Sequence, residues 1–481
     1  MIKIYISYIA LIALIFQSCS QEEDKSRPNI VWIMAENIGT DLGCYGDPAV
    51  KTPNLDKLAN EGVLYNQMFT TAPVCSTSRT SMMLGVHQIR FNGHNHRTKR
   101  NKELPSPFMP ITYYLRKAGY YTAVGCGFAG KTDVNFKIPK DKPVGFDGKD
   151  WKSRQEGQPF FAQITLPITH RGNHWYADSP DEITYPEQYA PGAPYYFRSE
   201  FTHQVSPDSV VLPPYVPDHP VVRDDWARYL TQIEKMDVQV GDILQRLEDE
   251  GIAENTVVIF ISDNGADHYR GEYWLYDRGI QVPMIVRWPN KLKTGSKSND
   301  LISSVDISAT VLDIAGIDVP EHLDGVPFIG QNAKKREYAY ASRDRIDDQV
   351  DRIRCIRSND FKYIRNYMPE KGYQETGWIL EHNPALKAIK SLYEKDSLSP
   401  AQALHMADVK PEEELYDLKN DRYELNNLAA SPNYKKTLEK MRLLLNNWIE
   451  ETGDKGQFRE KKEDAAEEKW FSYDKVYGTD G

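Results

Sequence analysis

The chain has 481 residues, with 59 basic and 69 acidic side chains and a net charge of −10. That length carries one large domain and a smaller companion. The acidic balance excludes the basic footprint that nucleic acid demands, while a local cationic pocket for an anionic ligand stays compatible with it.

The first residues read as an export signal. Lys3 gives a basic start, residues 4–16 are nearly all apolar, and Gln17-Ser18-Cys19 follows. This is an apolar core of secretory length, too short to span a membrane comfortably. Cys19 resembles the cysteine of a bacterial lipoprotein. Residues 1–18 are therefore read as the signal peptide, Cys19 as the lipidation site and 19–26 as a tether, with ordinary signal-peptidase cleavage as the alternative. The acidic run 20–24 resembles the tag that sends some Gram-negative lipoproteins to the outer face of the outer membrane, and it reads equally as a solvated tether. The expected location is the outer membrane surface, periplasm second, with the lipid as the only membrane contact.

Downstream, residues 30–34 form a buried-strand run. Thr52-Pro53 opens a helix with Thr52 as N-cap. Residues 78–84 suit a helix with Cys75 at its N-terminal edge. A helix over 111–117 precedes a strand over 120–125, and 160–166 is another apolar run. A long helical pattern over 224–250 leads to the strand 256–262, then a strand at 282–288 and a helix at 305–315. Strands alternating with helices predict an α/β fold, a large, mostly parallel sheet covered by helices on both faces. After about residue 330 a hairpin over 352–365 turns at Ser358-Asn359-Asp360. Glu414-Leu415-Tyr416-Asp417-Leu418 and an amphipathic helix near 434–450 complete a small α+β subdomain on an antiparallel sheet. Cys44, Cys126 and Cys355 read as packed thiols, not a disulfide framework.

The most informative run is Ala72-Pro73-Val74-Cys75-Ser76-Thr77-Ser78-Arg79-Thr80-Ser81-Met82-Met83-Leu84-Gly85. Its plain reading is a buried cysteine at a helix start. The run resembles the formylglycine signature of type I sulfatases, of the bacterial polysaccharide-sulfatase kind in the alkaline-phosphatase-like superfamily. Glu-Leu-Tyr-Asp-Leu followed by Asn426-Asn427-Leu428 looks like the C-terminal subdomain of that family. The resemblance runs from about residue 27 to about residue 430. With the change of texture near 330, the chain is read as a catalytic domain over 27–330 and a smaller subdomain with its charged tail over 331–481. Thr77 stands where the family has proline or alanine, a position that the maturation enzyme reads.

The resemblance implies a formylglycine made from Cys75 by that maturation enzyme, its hydrate attacking sulfur so that one hard displacement becomes two easier steps. It implies Arg79 as the anchor of the hydrate, a fixed fork of donors. A calcium ion would be held by Glu36, Asn37, Asp263, Asn264 and the modified Cys75. These are oxygen donors suited to calcium, at the carboxyl ends of strands where α/β sheets present ligands. Glu36-Asn37 replaces the usual Asp-Asp, one negative charge fewer.

Lys131 matches the sulfate-binding lysine, with a solvated loop lysine as the alternative. The histidine expected two residues later is Asp133, which removes one expected partner of the nucleophile's oxygen. His170 matches the acid-catalyst histidine, a side chain that donates near neutral pH, with His174 as its rival. Glu272 stands where the family has a lysine on the sulfate and the leaving oxygen, and Arg270 or His268 would restore a positive group. His94 and His96, in Gly93-His94-Asn95-His96-Arg97, read as substrate-facing or as a polar loop. The expected activity is hydrolysis of sulfate esters on a sulfated polysaccharide, algal or host, or on its oligosaccharides. The alternatives are a phosphatase or phosphonate hydrolase of the same superfamily and a catalytically weakened carbohydrate-binding surface lipoprotein.

Overall fold

The structure, a computed structural model, describes residues 27–138, 145–171, 175, 204–373, 380, 383–465 and 471–478. The export segment, Cys19 and His174 lie outside the described residues. Among the described residues no helix is long and apolar enough to cross a membrane.

The strands of the larger sheet are β1 (Asn29–Ala35), β2 (Val63–Tyr65), β4 (Tyr121–Val124), β5 (Phe160–Leu166), β6 (Thr256–Ser262), β7 (Met284–Arg287) and β8 (Ser296–Ser298). A separate short pair joins β3 (Met68–Phe69) to β9 (Ile302–Ser303). Across the large sheet the order is β4-β5-β1-β6-β7-β2-β8. The pairs β4–β5, β5–β1 and β1–β6 are parallel. β7 runs against both β6 and β2, so the sheet is mostly parallel, as the alternating elements predicted.

Side chains alternate across a strand, and β1, buried throughout, feeds two cores. Val31, Ile33 and Ala35 meet helices α1 (Pro53–Glu61) and α4 (Pro220–Asp249) through Leu55, Leu58, Trp226, Ile233 and Leu247. Ile30, Trp32 and Met34 meet α2 (Cys75–Leu84), α3 (Ile111–Lys117) and α5 (Asp306–Ile314) through Met82, Met83, Leu115 and Val311. The central strands are apolar on both faces because both faces are covered.

Thr52 precedes α1 but does not cap it. Its hydroxyl accepts from Gly43 N–H and donates to Asp56. The cap comes from α4, where the Asp237 carboxylate accepts from the backbone N–H of Asn54 and Leu55 at 3.0 and 2.8 Å. Burial pushes the Asp237 carboxyl up to about 6.

A second, antiparallel sheet runs β10 (Ala339–Arg343), β11 (Ile353–Arg357), β12 (Phe361–Asn366), β13 (Glu413–Asp417) in spatial order. The Ser358 hydroxyl closes the expected hairpin by accepting from the Asp360 and Phe361 N–H groups. Alternation again gives two faces. Ile356, Tyr363 and Leu415 pack on α6 (Lys435–Thr452) through Leu438, Met441, Leu445 and Trp448. Cys355, Ile364 and Tyr416 pack on Phe69, Trp274 and Tyr276 of the large domain. The four described cysteines are all free thiols.

Arg354, fully buried in β11, ties this sheet to the chain beyond α6. Its guanidinium donates to Asp454 at 2.7 and 2.9 Å and to Asp344 at 3.0 Å. Removing one member of a buried ion network leaves uncompensated charge, at a cost of about 3–5 kcal/mol. Arg354→Ala is expected to lose stability on that scale in denaturant unfolding, whereas Lys419→Ala, which breaks an exposed pair with Asp360, should cost under about 1 kcal/mol.

Candidate active site

β1 and β6 end side by side, with Ala35 opposite Ser262. The residues that follow, Glu36-Asn37 and Asp263-Asn264, therefore share one edge of the sheet, and all four are buried. Asn37 adopts a left-handed backbone (φ 53°), which an asparagine tolerates better than most residues. That turn aims its N–H at Asp263 Oδ1, 3.1 Å away.

α2 begins at Cys75, and every one of its residues is buried. Serine and threonine are weak helix formers because their hydroxyls compete for the backbone. Here the hydroxyls are taken up within the turn, Thr80 on Ser76 O and Ser81 on Ser78 O, while Ser78 donates to Asp263 O. Gly85 ends the helix with φ 65°, and a Cβ there would lie 2.8 Å from Leu323.

One turn after Cys75, the Arg79 guanidinium sits wholly buried between two carboxylates, 2.8 Å from Asp263 and 3.0 Å from Glu36. It also donates to Lys131 O and Thr165 Oγ1, both at 3.2 Å. Lys131 is no solvated lysine. Its ammonium is buried, 3.0 Å from the other Glu36 oxygen and 3.5 Å from Asp133. Burial works against ionised Arg79, but Asp263 and Glu36 outweigh it and raise its pKa further. Burial also raises the Asp263 carboxyl, with Arg79 opposing.

Asp133 gathers cations. Arg97 lies 3.7 Å from it and Arg100 pairs with it directly. Burial would raise its pKa, but Lys131, Arg97 and Arg100 hold it well below the usual carboxylate range. The Cys75 thiol is pushed well above its ordinary value by burial and then by Asp133, so position 75 as cysteine carries no ready thiolate.

The remaining expected site residues divide. His170 follows the turn after β5, next to Thr169, whose hydroxyl donates to Glu36 O. His96 reaches the cluster, with Nε2 3.6 Å from Cys75 Sγ. His94 instead sits among Asp344, Arg354, Asp454 and Glu460, and burial lowers its pKa. Its charged neighbours belong to the second sheet and its tail.

Arg270 also faces away. Its guanidinium donates to Glu424 O and lies 3.9 Å over the Tyr276 ring. His268 is stacked on Trp226 at 4.0 Å. Neither restores a cation beside Glu272. Glu272 itself turns inward and accepts from the Asn37 amide at 2.5 Å. Burial, then Asp267, Asp263 and Asp347, hold its carboxyl well above the ordinary range. Two residues escaped the sequence reading. Asp347 accepts from His96 Nδ1 at 3.0 Å, and Tyr273 donates to Asp347 at 3.0 Å. Nothing local marks them, since Asp347 lies 251 residues from His96.

The edge also offers oxygen donors of the kind a hard cation takes. Asn37 Oδ1 and Asn264 Oδ1 are buried and make no hydrogen bond. Glu36 and Asp263 keep lone pairs beyond those used by Arg79 and Lys131. Among the described residues there is no metal-type group of three or more His, Cys, Asp and Glu, so a cation here relies on both amide oxygens.

Cys75 thus starts a helix beside a buried arginine, a buried lysine and strand-end carboxylates. The sulfatase family model matches residues 28–317, and the model for the N-sulphoglucosamine sulphohydrolase C-terminal region matches 267–407. The chain belongs to the sulfatase family and is a sulfuric ester hydrolase. It is 35% identical over 466 residues to an ulvan-active sulfatase of Formosa agariphila, covering 91% of this chain and 77% of that one. To human N-sulphoglucosamine sulphohydrolase it is 27% identical, covering 89% and 91%. A structure solved with its substrate D-glucosamine-2-N,6-O-disulfate superposes with a TM-score of 0.61 at 19% identity, over 89% of this chain and 99% of that one.

Two outcomes follow from the geometry. Cys75→Ala is expected to abolish sulfate release while its melting temperature stays near wild type; retained turnover would refute the nucleophile. Glu272→Gln keeps an acceptor for Asn37 and should unfold near wild type. Glu272→Ala strands that amide at a cost of about 1–3 kcal/mol, read from denaturant midpoints.

Proposed function

We propose that the protein desulfates a sulfated polysaccharide or its oligosaccharides, using a formylglycine made from Cys75 and one calcium ion. The observation that carries this reading is Arg79, buried one helical turn from Cys75 and clamped between Glu36 and Asp263. It fixes an anion-compatible edge around residue 75. The likeness over most of the chain to an ulvan-active sulfatase supports a polymeric, sulfated carbohydrate substrate. Lipidation at Cys19 would hold the enzyme at the outer membrane surface, where a polymer too large for import is met.

In this reading Arg79 orients the side-chain oxygen at position 75, and Lys131 supplies charge to the sulfate. His170 protonates the leaving sugar oxygen. Glu36, Asn37, Asp263 and Asn264 would hold calcium, with residue 75 completing the set. When bound, the ion polarises the sulfate ester. The orphaned amide oxygens of Asn37 and Asn264 support that assignment.

Protein produced with the maturation enzyme is expected to show the aldehyde mass at the Cys75 peptide and to release sulfate from ulvan-type oligosaccharides. Exhaustive chelation should stop turnover and added calcium should restore it. Full turnover after chelation would remove the metal from the reading, and aldehyde-positive protein inert on every sulfated glycan would favour the binding lipoprotein.

A further inference from the structure

In the family pattern a histidine partners the oxygen at position 75. That pattern puts a histidine at 133, where this chain has Asp133, already committed to Lys131, Arg97 and Arg100. A different histidine faces the nucleophile. His96 Nε2 is 3.6 Å from Cys75 Sγ, His96 Nδ1 is 3.0 Å from Asp347, and the Tyr273 hydroxyl donates to the other Asp347 oxygen at 3.0 Å. With a carboxylate accepting at Nδ1, the neutral ring carries its proton there and turns the Nε2 lone pair toward position 75.

The backbone that carries the ring is clamped as well. His96 N–H donates to Arg345 O, and Arg345 Nη2 donates back to His96 O, both at 2.8 Å. The next N–H, of Arg97, donates to Ser76 Oγ at 2.8 Å, one residue from the nucleophile. Arg345 is fixed in turn by Glu460 at 2.7 Å. Ile346 and Tyr273 pack with Val74 and Cys75 in one small apolar cluster. A side chain clamped so firmly beside a reacting atom matches the pre-organisation that proton transfer in catalysis requires.

We propose that His96 is a catalytic residue of this sulfatase, accepting a proton from the remaining free hydroxyl of the sulfated hydrate at position 75 as sulfate leaves, with Asp347 and Tyr273 as its positioning residues. The O–H bond breaks and a bond from that hydrogen to Nε2 forms. The electron pair of that O–H bond forms the C=O of the aldehyde, and the C–O bond to sulfate breaks with its pair leaving on sulfate. Water then re-adds to the aldehyde, and the imidazolium is balanced by Asp347. The proton returns to water between turnovers. The proposal rests on the formylglycine reading, because an unconverted thiol offers no such hydroxyl.

The test uses full-length protein produced with the maturation enzyme, as wild type, His96→Asn, Asp347→Asn and Tyr273→Phe, with a chromogenic aryl sulfate as probe. Peptide mass first measures conversion of residue 75 in each. Unconverted wild type would sink the formylglycine reading itself, and this proposal with it. With conversion equal across the set, His96→Asn should give a burst of about one phenol per converted site and then stall, a covalent-catalysis signature. The intact mass should rise by one SO3 group, with KM little changed. Asp347→Asn should lower kcat about 10–100-fold without a comparable rise in KM, as mispositioned bases do. Tyr273→Phe should do less. Steady turnover near the wild-type rate in a well-folded His96→Asn would overturn the proposal. A loss confined to KM would overturn it too, making His96 a substrate-binding residue. If His96→Asn does not fold, the Asp347→Asn split between kcat and KM decides.

Discussion

The catalytic edge depends on one buried guanidinium. Arg79 joins α2 to the ends of β1 and β6 through Glu36 and Asp263, and to β5 through Thr165. A charge removed from water is tolerated only when its partners are equally fixed. The same ion pairs that neutralise Arg79 therefore set the spacing between the helix that Cys75 starts and three strand ends. They also explain how a helix rich in serine and threonine forms at all. Its stability comes from the tertiary frame around it, not from propensity. The fork of donors matters as much as the charge, since a lysine could not reach both carboxylates and the Lys131 carbonyl at once.

The departures from the family pattern become coherent once charges are placed beside one another. An aspartate at 37 would set a second carboxylate against Glu272. At about 4 Å and an effective dielectric of 20, that repulsion is on the order of 4 kcal/mol. Asn37 instead donates its amide to Glu272, so the two replacements act as one pair. Asp133 behaves similarly. It draws Lys131, Arg97 and Arg100 into one group, concentrating cations beside Cys75, the proposed nucleophile.

The sequence made legible whatever is periodic or contiguous. β1, β5 and β6 stood out as apolar runs because both faces of the sheet are covered, and the alternation over 352–365 marked the hairpin of the second sheet. Cys75 and Arg79 were legible together because one turn of helix separates them. Contacts between distant segments were not. Asp237 capping α1, Arg270 turning to Glu424, Glu272 turning in to Asn37 and Asp347 meeting His96 are all settled by packing, which leaves no local pattern. Thr52 shows the converse. Its type and position suit an N-cap, yet a carboxylate from α4 held the backbone donors more strongly, and the hydroxyl turned to Asp56.

The second sheet and the tail beyond α6 help to build the site they border. The loop that carries His96 has no regular structure, and Arg97 and Lys99 are held in left-handed backbone at φ 56° and 55°. For non-glycine residues such conformations cost on the order of 1–3 kcal/mol each, and persist only where the surroundings over-determine them. Here the surroundings come from the C-terminal third. Arg345 brackets His96, Glu460 holds Arg345, and Phe471 lies under its guanidinium at 4.0 Å. Lys99 is pinned to Asp464 through backbone and side chain alike. β10 and β11 carry Arg343 and Arg354 on either side of the segment that delivers Arg345 and Asp347. The loop that carries His96 thus takes its shape from contacts with a part of the chain that contributes no strand to the large sheet.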